Sequence, residues 1–390
     1  MTHVFIVDDN TFKYHLEYMF AGIGAREDAL FLQDSNYINP KKKDDGLTSA
    51  SEKNLVGMIA DVSKIRVGDK VIFYLQSNRY HEGLFFGIFE VKGNPFYDSF
   101  DNNYLFNKLH KKLNFRVCLK PDIVYPIGVT EHKYLDDISN KTHPSQLCWS
   151  MIYRKLKGNR GCTMITDYEF KDLVKKLKKE NNNVSLDFAN YTYSQQECVI
   201  SGLATENEYE GDKNSLIIKN RLLYKATRGN AFEAHLQAYI MQNYDRQHLK
   251  ELLFNNKNVD WIGNEVSCGV GMQRIDILSI QKYDNKTVIR IIELKDEPAY
   301  KEILTTQLPW YIEWVTSYIV PTIQDEVEII PTIISKKAIK HTNKYNQFLE
   351  ELNRINSESN NENYTEVSNT ELFEYVIDEQ NTEIEFIKIH

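Results

Sequence analysis

The residues best placed to do chemistry are Asp276, in the run RIDILSI (274–280), and Glu293 and Lys295, in VIRIIELK (288–295). Both runs are apolar and β-branched, which predicts strands. Residues i and i+2 of a strand share a face, so Glu293 and Lys295 point the same way while Leu294 turns into the core. The intervening QKYDNKT (281–287) contains Asp284-Asn285, a turn signal. A hairpin there brings Asp276 beside Glu293 on the neighbouring strand. Two adjacent carboxylates hold Mg²⁺ through oxygen ligands. A neighbouring ammonium orients a water and stabilises charge developing on a phosphate. Phosphodiester hydrolysis needs this set of parts. The three residue types are common, so the bare triplet arises by chance in many chains; its setting between apolar strand halves gives it weight.

With Asp276…Glu293-x-Lys295 as its core, this region resembles the PD-(D/E)xK nuclease superfamily, over residues 220–335. Glu233 lies in Glu-Ala-His-Leu on a helix predicted over 230–244, where that superfamily often carries a further metal-binding or structural glutamate. Gln307 and Tyr311 form Q-x-x-x-Y on the following helix, similar to the RecB-like branch. GNEVSCGVGMQRIDIL followed by IIELK resembles the branch of mismatch-type endonucleases. Ile275 stands before Asp276 in place of proline. The resemblance implies a restriction-endonuclease-like α/β sandwich with a central mixed sheet. It implies metal held by Asp276, Glu293 and Glu233, with Mg²⁺ as cofactor and Mn²⁺ as a substitute. Lys295 would position the attacking water, and Gln307 would support the site or touch DNA backbone. Glu265 is a weaker candidate for the metal shell.

The elements around these residues read as α+β or α/β: a helix, strands at 261–268, 274–280 and 288–295, a helix over 307–318 and a strand at 326–335. The N-terminal half is β-rich, with strands expected at 71–75, 83–91, 115–119 and 123–129 and helices at 12–20 and 146–156. FKDLVKKLKKE (170–180) is an amphipathic helix stopped by Asn181-Asn182-Asn183. The expected division is a first domain over 1–180, a polar linker over 181–215, and a second domain over 216–390. A polar stretch at 356–369 sets off an acidic C-terminal extension of the second domain.

IRVGDKVIFYL, GLFFGIFEV and QLCWSMIYRKLKGNRGCTMIT followed by a helix resemble, in pattern, the EVE/PUA-like fold. That implies a curved β-sheet or barrel with flanking helices, and a domain that binds RNA or modified DNA bases. An extruded base needs aromatic faces and a few donors and acceptors. Trp149 and Tyr74 are candidates for the faces. Arg154, Lys155, Lys157, Asn159 and Arg160 lie in a cationic run with Gly158 and Gly161 that suits phosphates. Most aromatics of a domain this size must nevertheless be core.

The net charge of -8 discourages a nucleic-acid reading until it is partitioned. Residues 1–180 hold 27 basic against 23 acidic residues, 181–350 hold 18 against 22, and 351–390 hold 2 against 10. The first half is mildly basic, so the total says little about partners. Five scattered cysteines without a CxxC argue against a disulfide scaffold or zinc site and for a reducing cytoplasm. The apolar runs are too short for a transmembrane helix, and no signal peptide is evident. The combined expectation is a two-domain, Mg²⁺-dependent, restriction-type DNA endonuclease with no organic cofactor. It would act on double-stranded DNA as a homodimer, its first domain recognising a specific base, modified or not. A mismatch or structure-specific repair endonuclease, an RNA-acting nuclease and a non-catalytic nucleic-acid reader are the alternatives.

Overall fold

Continuous β-branched and aromatic runs at 4–7 and 71–75 give β1 (Thr2–Val7) and, after α1 (Asp9–Glu17), β2 (Phe20–Ile23) and α2 (Ser49–Ser63), the strand β3 (Lys70–Leu75). Then follow β4 (Leu84–Val91), β5 (Phe96–Tyr97), α3 (Phe106–Leu109), β6 (Phe115–Pro121), β7 (Val129–Thr130), α4 (Glu131–Leu135), β8 (Cys162–Ile165), α5 (Asp167–Glu180), β9 (Asn190–Ser194) and β10 (Val199–Leu203). The chain, seen in a computed structural model, is described over residues 1–24, 49–99, 102–135, 137–147, 161–227, 232–269, 273–283, 285–338, 342–358, 365–378 and 383–389. It forms two units: residues 1–141 with 147–217, and residues 142–146 with 218–390.

The first unit is a curled sheet in the order β2-β6-β4-β3-β1-β8, with β5 on β6 and β7 on β4. Only the β1–β3 pair in that order is parallel. Its core packs Val4, Ile72, Tyr74 and Phe85 of the sheet against Leu173 and Leu177 of α5. α5 starts at Asp167, ahead of the expected 170, because Thr166 and Glu169 form a reciprocal capping box, and it ends at Asn181 as expected. Two expectations need correction here. Of residues 123–129 only Val129 joins a strand, β7 on β4, while Val124 and Ile127 form isolated bridges with Leu186 and Val199. Pro126 supplies no amide for a ladder, and Asn181 takes both backbone groups of Ile127. Residues 181–215 are not a free linker, since β9 and β10 pair as a hairpin and bury Tyr191, Tyr193 and Ile200. The aromatic and β-branched residues within a polar stretch decide its fate.

The second unit begins with α6 (Lys219–Thr227), α7 (Glu233–Asn243) and α8 (Gln247–Phe254). The strands β11 (Trp261–Ser267), β12 (Arg274–Tyr283) and β13 (Lys286–Leu294) form an antiparallel meander. α9 (Leu308–Tyr318) crosses over to β14 (Glu326–Lys336), which runs parallel to β13. α10 (Asn343–Glu358) makes the next crossover, and β15 (Thr365–Val367), β16 (Glu371–Asp378) and β17 (Glu383–Lys388) follow. The sheet order is β11-β12-β13-β14-β16-β17, with β15 on β14. It is a mixed sheet with flanking helices, as expected. The acidic C-terminal extension is instead part of the sheet, with Leu372, Phe373, Tyr375 and Phe386 buried. Its carboxylates serve as local partners: Glu371 pairs with Arg290 and Lys388. Among the described residues, no helix is long and apolar enough to cross a membrane.

Candidate active site

The β12–β13 register runs from Tyr283–Lys286 to Ile277–Ile292 and stops there, one residue short of setting Asp276 opposite Glu293. On its other edge β12 pairs with β11 through Asn264–Ile277 and Val266–Ile275, and Glu265 between them has a left-handed φ of 45°. Both ladders therefore break at Asp276. The hydrogen-bonding groups this frees are taken by side chains. The Asp276 carboxylate accepts the Leu294 amide at 2.8 Å. Its carbonyl accepts Gln237 Nε2 at 2.8 Å from α7. Beyond Leu294 the main chain is held from the other side: Lys295 N donates to Ile334 O at 2.9 Å, and its carbonyl accepts the buried Tyr375 hydroxyl at 3.1 Å.

The period-2 argument is borne out by the side chains of β13. Glu293 and Lys295 share a face, with Lys295 Nζ 2.7 Å from Glu293 Oε1, while Leu294 is fully buried. Glu233, at the first turn of α7, approaches the same ammonium at 3.9 Å. Glu293 is only 2% exposed, and its Oε2 is buried without a hydrogen-bond partner. Burial and the Glu293 charge hold the Asp276 carboxyl well above the usual carboxylate range, against the Leu294 amide and Lys295. Burial also raises Glu293, with Lys295 opposing and Glu233 adding. Burial disfavours the Lys295 charge, but Glu293, Glu233 and Asp276 outweigh it and hold its pKa above the ordinary value. Such a pair has excess affinity for positive charge, whether a proton or a cation.

Gln307 lies in a π-helical turn before α9, and its Oε1 is buried without a partner. Tyr311 donates to Arg274 O at 2.9 Å and so fastens α9 to the start of β12. Glu265 is salt-bridged to Arg274 at 2.9 Å, which gives it a partner other than a metal. Among the described residues no group of three or more His, Cys, Asp or Glu side chains closes to metal-binding distance. The donors that fit a hard cation are the Asp276–Glu293 pair, with its orphaned Glu293 oxygen.

Gln237 and Tyr375 were missed in the sequence. Gln237 lies one turn after Glu233, a spacing that could have found it. Tyr375 lies 80 residues from Lys295, and no local signal connects them.

In the first unit Tyr74 is 1% exposed, inside the core, with its hydroxyl bonded to Glu131; its ring faces are covered by packing. Trp149, Arg154, Lys155, Lys157, Asn159 and Arg160 lie outside the described residues, as does most of the helix expected at 146–156.

No protein-family model matches this chain, and no curated protein matches it. Several solved structures match part of it. A hypothetical protein from Leishmania major matches with a TM-score of 0.29 and 13% identity, over 46% of this chain and 95% of that one. A protein from Pseudomonas syringae matches at 0.26 and 14%, over 45% and 99%. Human THYN1, solved in complex with 5-methylcytosine containing DNA, matches at 0.25 and 9%, over 45% and 97%. Likenesses this slight carry no functional argument.

Proposed function

We propose that this chain is a Mg²⁺-dependent nucleic-acid phosphodiesterase, a DNA endonuclease of restriction type, whose second unit cuts and whose first unit selects the site. The observation that carries this reading is the meeting of Asp276 and Glu293 at the broken ladder, with a buried, donorless Glu293 oxygen and Lys295 bonded to the same carboxylate. Asp276 and Glu293 would hold the cation, with Glu233 nearby. A bound Mg²⁺ or Mn²⁺ supplies Lewis-acid polarisation of a phosphoryl oxygen. Lys295, kept protonated by three carboxylates, orients the attacking water and stabilises charge developing on phosphate. Gln307 offers its free carbonyl oxygen to that water or to the support of the site.

Double-strand cleavage needs two such sites, so a homodimer on duplex DNA belongs to the proposal. The test is digestion of matched, mismatched and base-modified duplexes, and of RNA, with Mg²⁺, with Mn²⁺ and with EDTA. Cleavage of matched duplex, modified or not, at defined sites and abolished by EDTA is expected. Equal cleavage of unmodified mismatched duplex would favour a repair nuclease, and cleavage of RNA alone an RNA-acting one. Binding without cleavage of any substrate would leave a reader and overturn the catalytic assignment.

A further inference from the structure

The first unit contains a cleft of about 730 Å³, a size that suits a small-molecule ligand. No residue given a role above lines it. One wall is formed by β6 and the connection after β4. The other is the polar segment 206–215, ENEYEGDKNS, which has almost nothing apolar to bury. That segment is nevertheless tied down along its length. Buried Asn190 donates to Asn207 O and Glu17 O, both at 2.9 Å. The Tyr209 hydroxyl donates to Asp98 at 2.7 Å and accepts from Arg116 at 2.8 Å, and these two form a fully buried ion pair at 2.6 Å. Asn214 exchanges both backbone hydrogen bonds with Tyr97. A wall fixed at this many points holds the cleft open, and preformed walls reduce the ordering cost of binding.

The lining narrows the ligand class. Half-buried Tyr18 and Tyr209 supply aromatic surface, while Phe96, 4% exposed, packs against Tyr209 with ring centroids 5.2 Å apart. Lys213 stands 6.0 Å and 5.6 Å over the Phe96 and Tyr209 rings. Lys120 is bridged to Glu90 at 2.7 Å, whereas Lys92 and Lys213 make no ion pair among the described residues. Glu206 and Glu208 share the same mouth. The carboxylates would repel a bare anion, and the lysines are wasted on an apolar ligand. A ribonucleotide uses every part: aromatic faces stack a base, carboxylates accept ribose hydroxyls, and lysines neutralise phosphate.

We propose that this cleft binds a free ribonucleotide. The assignment is independent of the cleavage reading, because no residue of the carboxylate–lysine site takes part in it.

Cys118 gives a direct readout, since its half-buried thiol lines the cleft beside Lys213. The full chain is titrated calorimetrically with ATP, GTP, AMP, dATP, inorganic phosphate and a short single-stranded oligonucleotide. In parallel, maleimide labelling of Cys118 is read by peptide mass spectrometry, with Cys198, outside the cleft, as control. At least one ribonucleotide should bind with Kd below about 1 mM and slow labelling of Cys118 but not Cys198, with its deoxy counterpart weaker. The variant Lys92→Glu/Lys213→Glu changes two exposed side chains, and an unaltered melting curve verifies its fold. It should weaken binding by about tenfold or more, because two charge-assisted contacts become repulsive. Absence of protection by every nucleotide, or protection undiminished in the double variant, would overturn the proposal. Tighter binding of the oligonucleotide than of any free nucleotide would overturn it in favour of a strand end.

Discussion

The carboxylate of Asp276 accepts the main-chain amide of Leu294 at 2.8 Å, a bond that an unbroken ladder would give to a strand carbonyl. Asp276 thus has a structural duty beside any chemical one, and two substitutions separate them. Asp276→Ala leaves the amide without its acceptor, which costs about 1–3 kcal/mol, and under the proposed function should also end metal-dependent cleavage. Asp276→Asn retains an acceptor oxygen, so it should melt near the wild type while cleavage is lost. Thermal unfolding run beside a nuclease assay reads both; full activity in Asp276→Asn would remove this residue from the site.

Lys295 is the counterion of a carboxylate that is 2% exposed. Lys295→Met strands that charge, and breaking a buried pair from one side costs roughly 3–5 kcal/mol. Replacing both partners, as Glu293→Leu with Lys295→Met, should recover much of the loss while remaining inactive. Denaturant unfolding of the single and double variants gives the coupling. Equal destabilisation in both would mean that the pair contributes nothing beyond packing.

Unit 1 should lose stability in mild acid through His15. Burial lowers its pKa from 6.5 to about 4, with Arg116 adding and the Phe20 carbonyl opposing. Between these values the unfolded chain binds a proton that the folded chain refuses, so stability falls as pH drops from 6.5 to about 4 and then levels off for this group. The full effect is on the order of 3 kcal/mol. Asp69 acts in a lower window: its pKa falls from 3.8 to about 2 as His3 and the N-terminal amine outweigh burial, so its contribution is lost below 3.8. Urea midpoints measured between pH 7 and 4 should slope for the wild type and flatten for His15→Gln. An unchanged slope would assign the effect to other groups.

Deleting residues 356–390 removes β15, β16 and β17 and should unfold the second unit outright, since Leu372, Phe373 and Tyr375 are core residues. Tyr375→Phe isolates one part of that contribution, the hydroxyl on Lys295 O, at about 1 kcal/mol. Calorimetry of the truncated chain should show one unfolding transition fewer than the full chain. Retention of both would mean that the last strands are dispensable.

The carboxylate–lysine hairpin was legible because its logic is local. Alternation along RIDIL and IIELK says which residues share a face, and a turn signal between them sets the pairing. The stop of α5 at Asn181 was legible for the same reason. Residues 181–215 and the acidic end were misread because composition dominated the reading. Tyr191, Tyr193 and Ile200 are few among many polar neighbours, and the apolar residues of ELFEYVID were outweighed by its charge.

The sequence by itself determined face and period: that Glu293 and Lys295 point together, that Leu294 turns inward, and that Asp276 lies near them. These follow from backbone geometry within a few residues. Tertiary structure alone decided that Asp276 stands at a break in two ladders, that Gln237 reaches it from 39 residues away, and that Tyr375 closes over Lys295 from 80. The Gln237 contact depends on how α7 packs on the sheet, and the Tyr375 contact on how two parallel crossovers, through α9 and α10, stack strands distant in sequence. Local propensity carries no record of that stacking; burial of the shared core selects it.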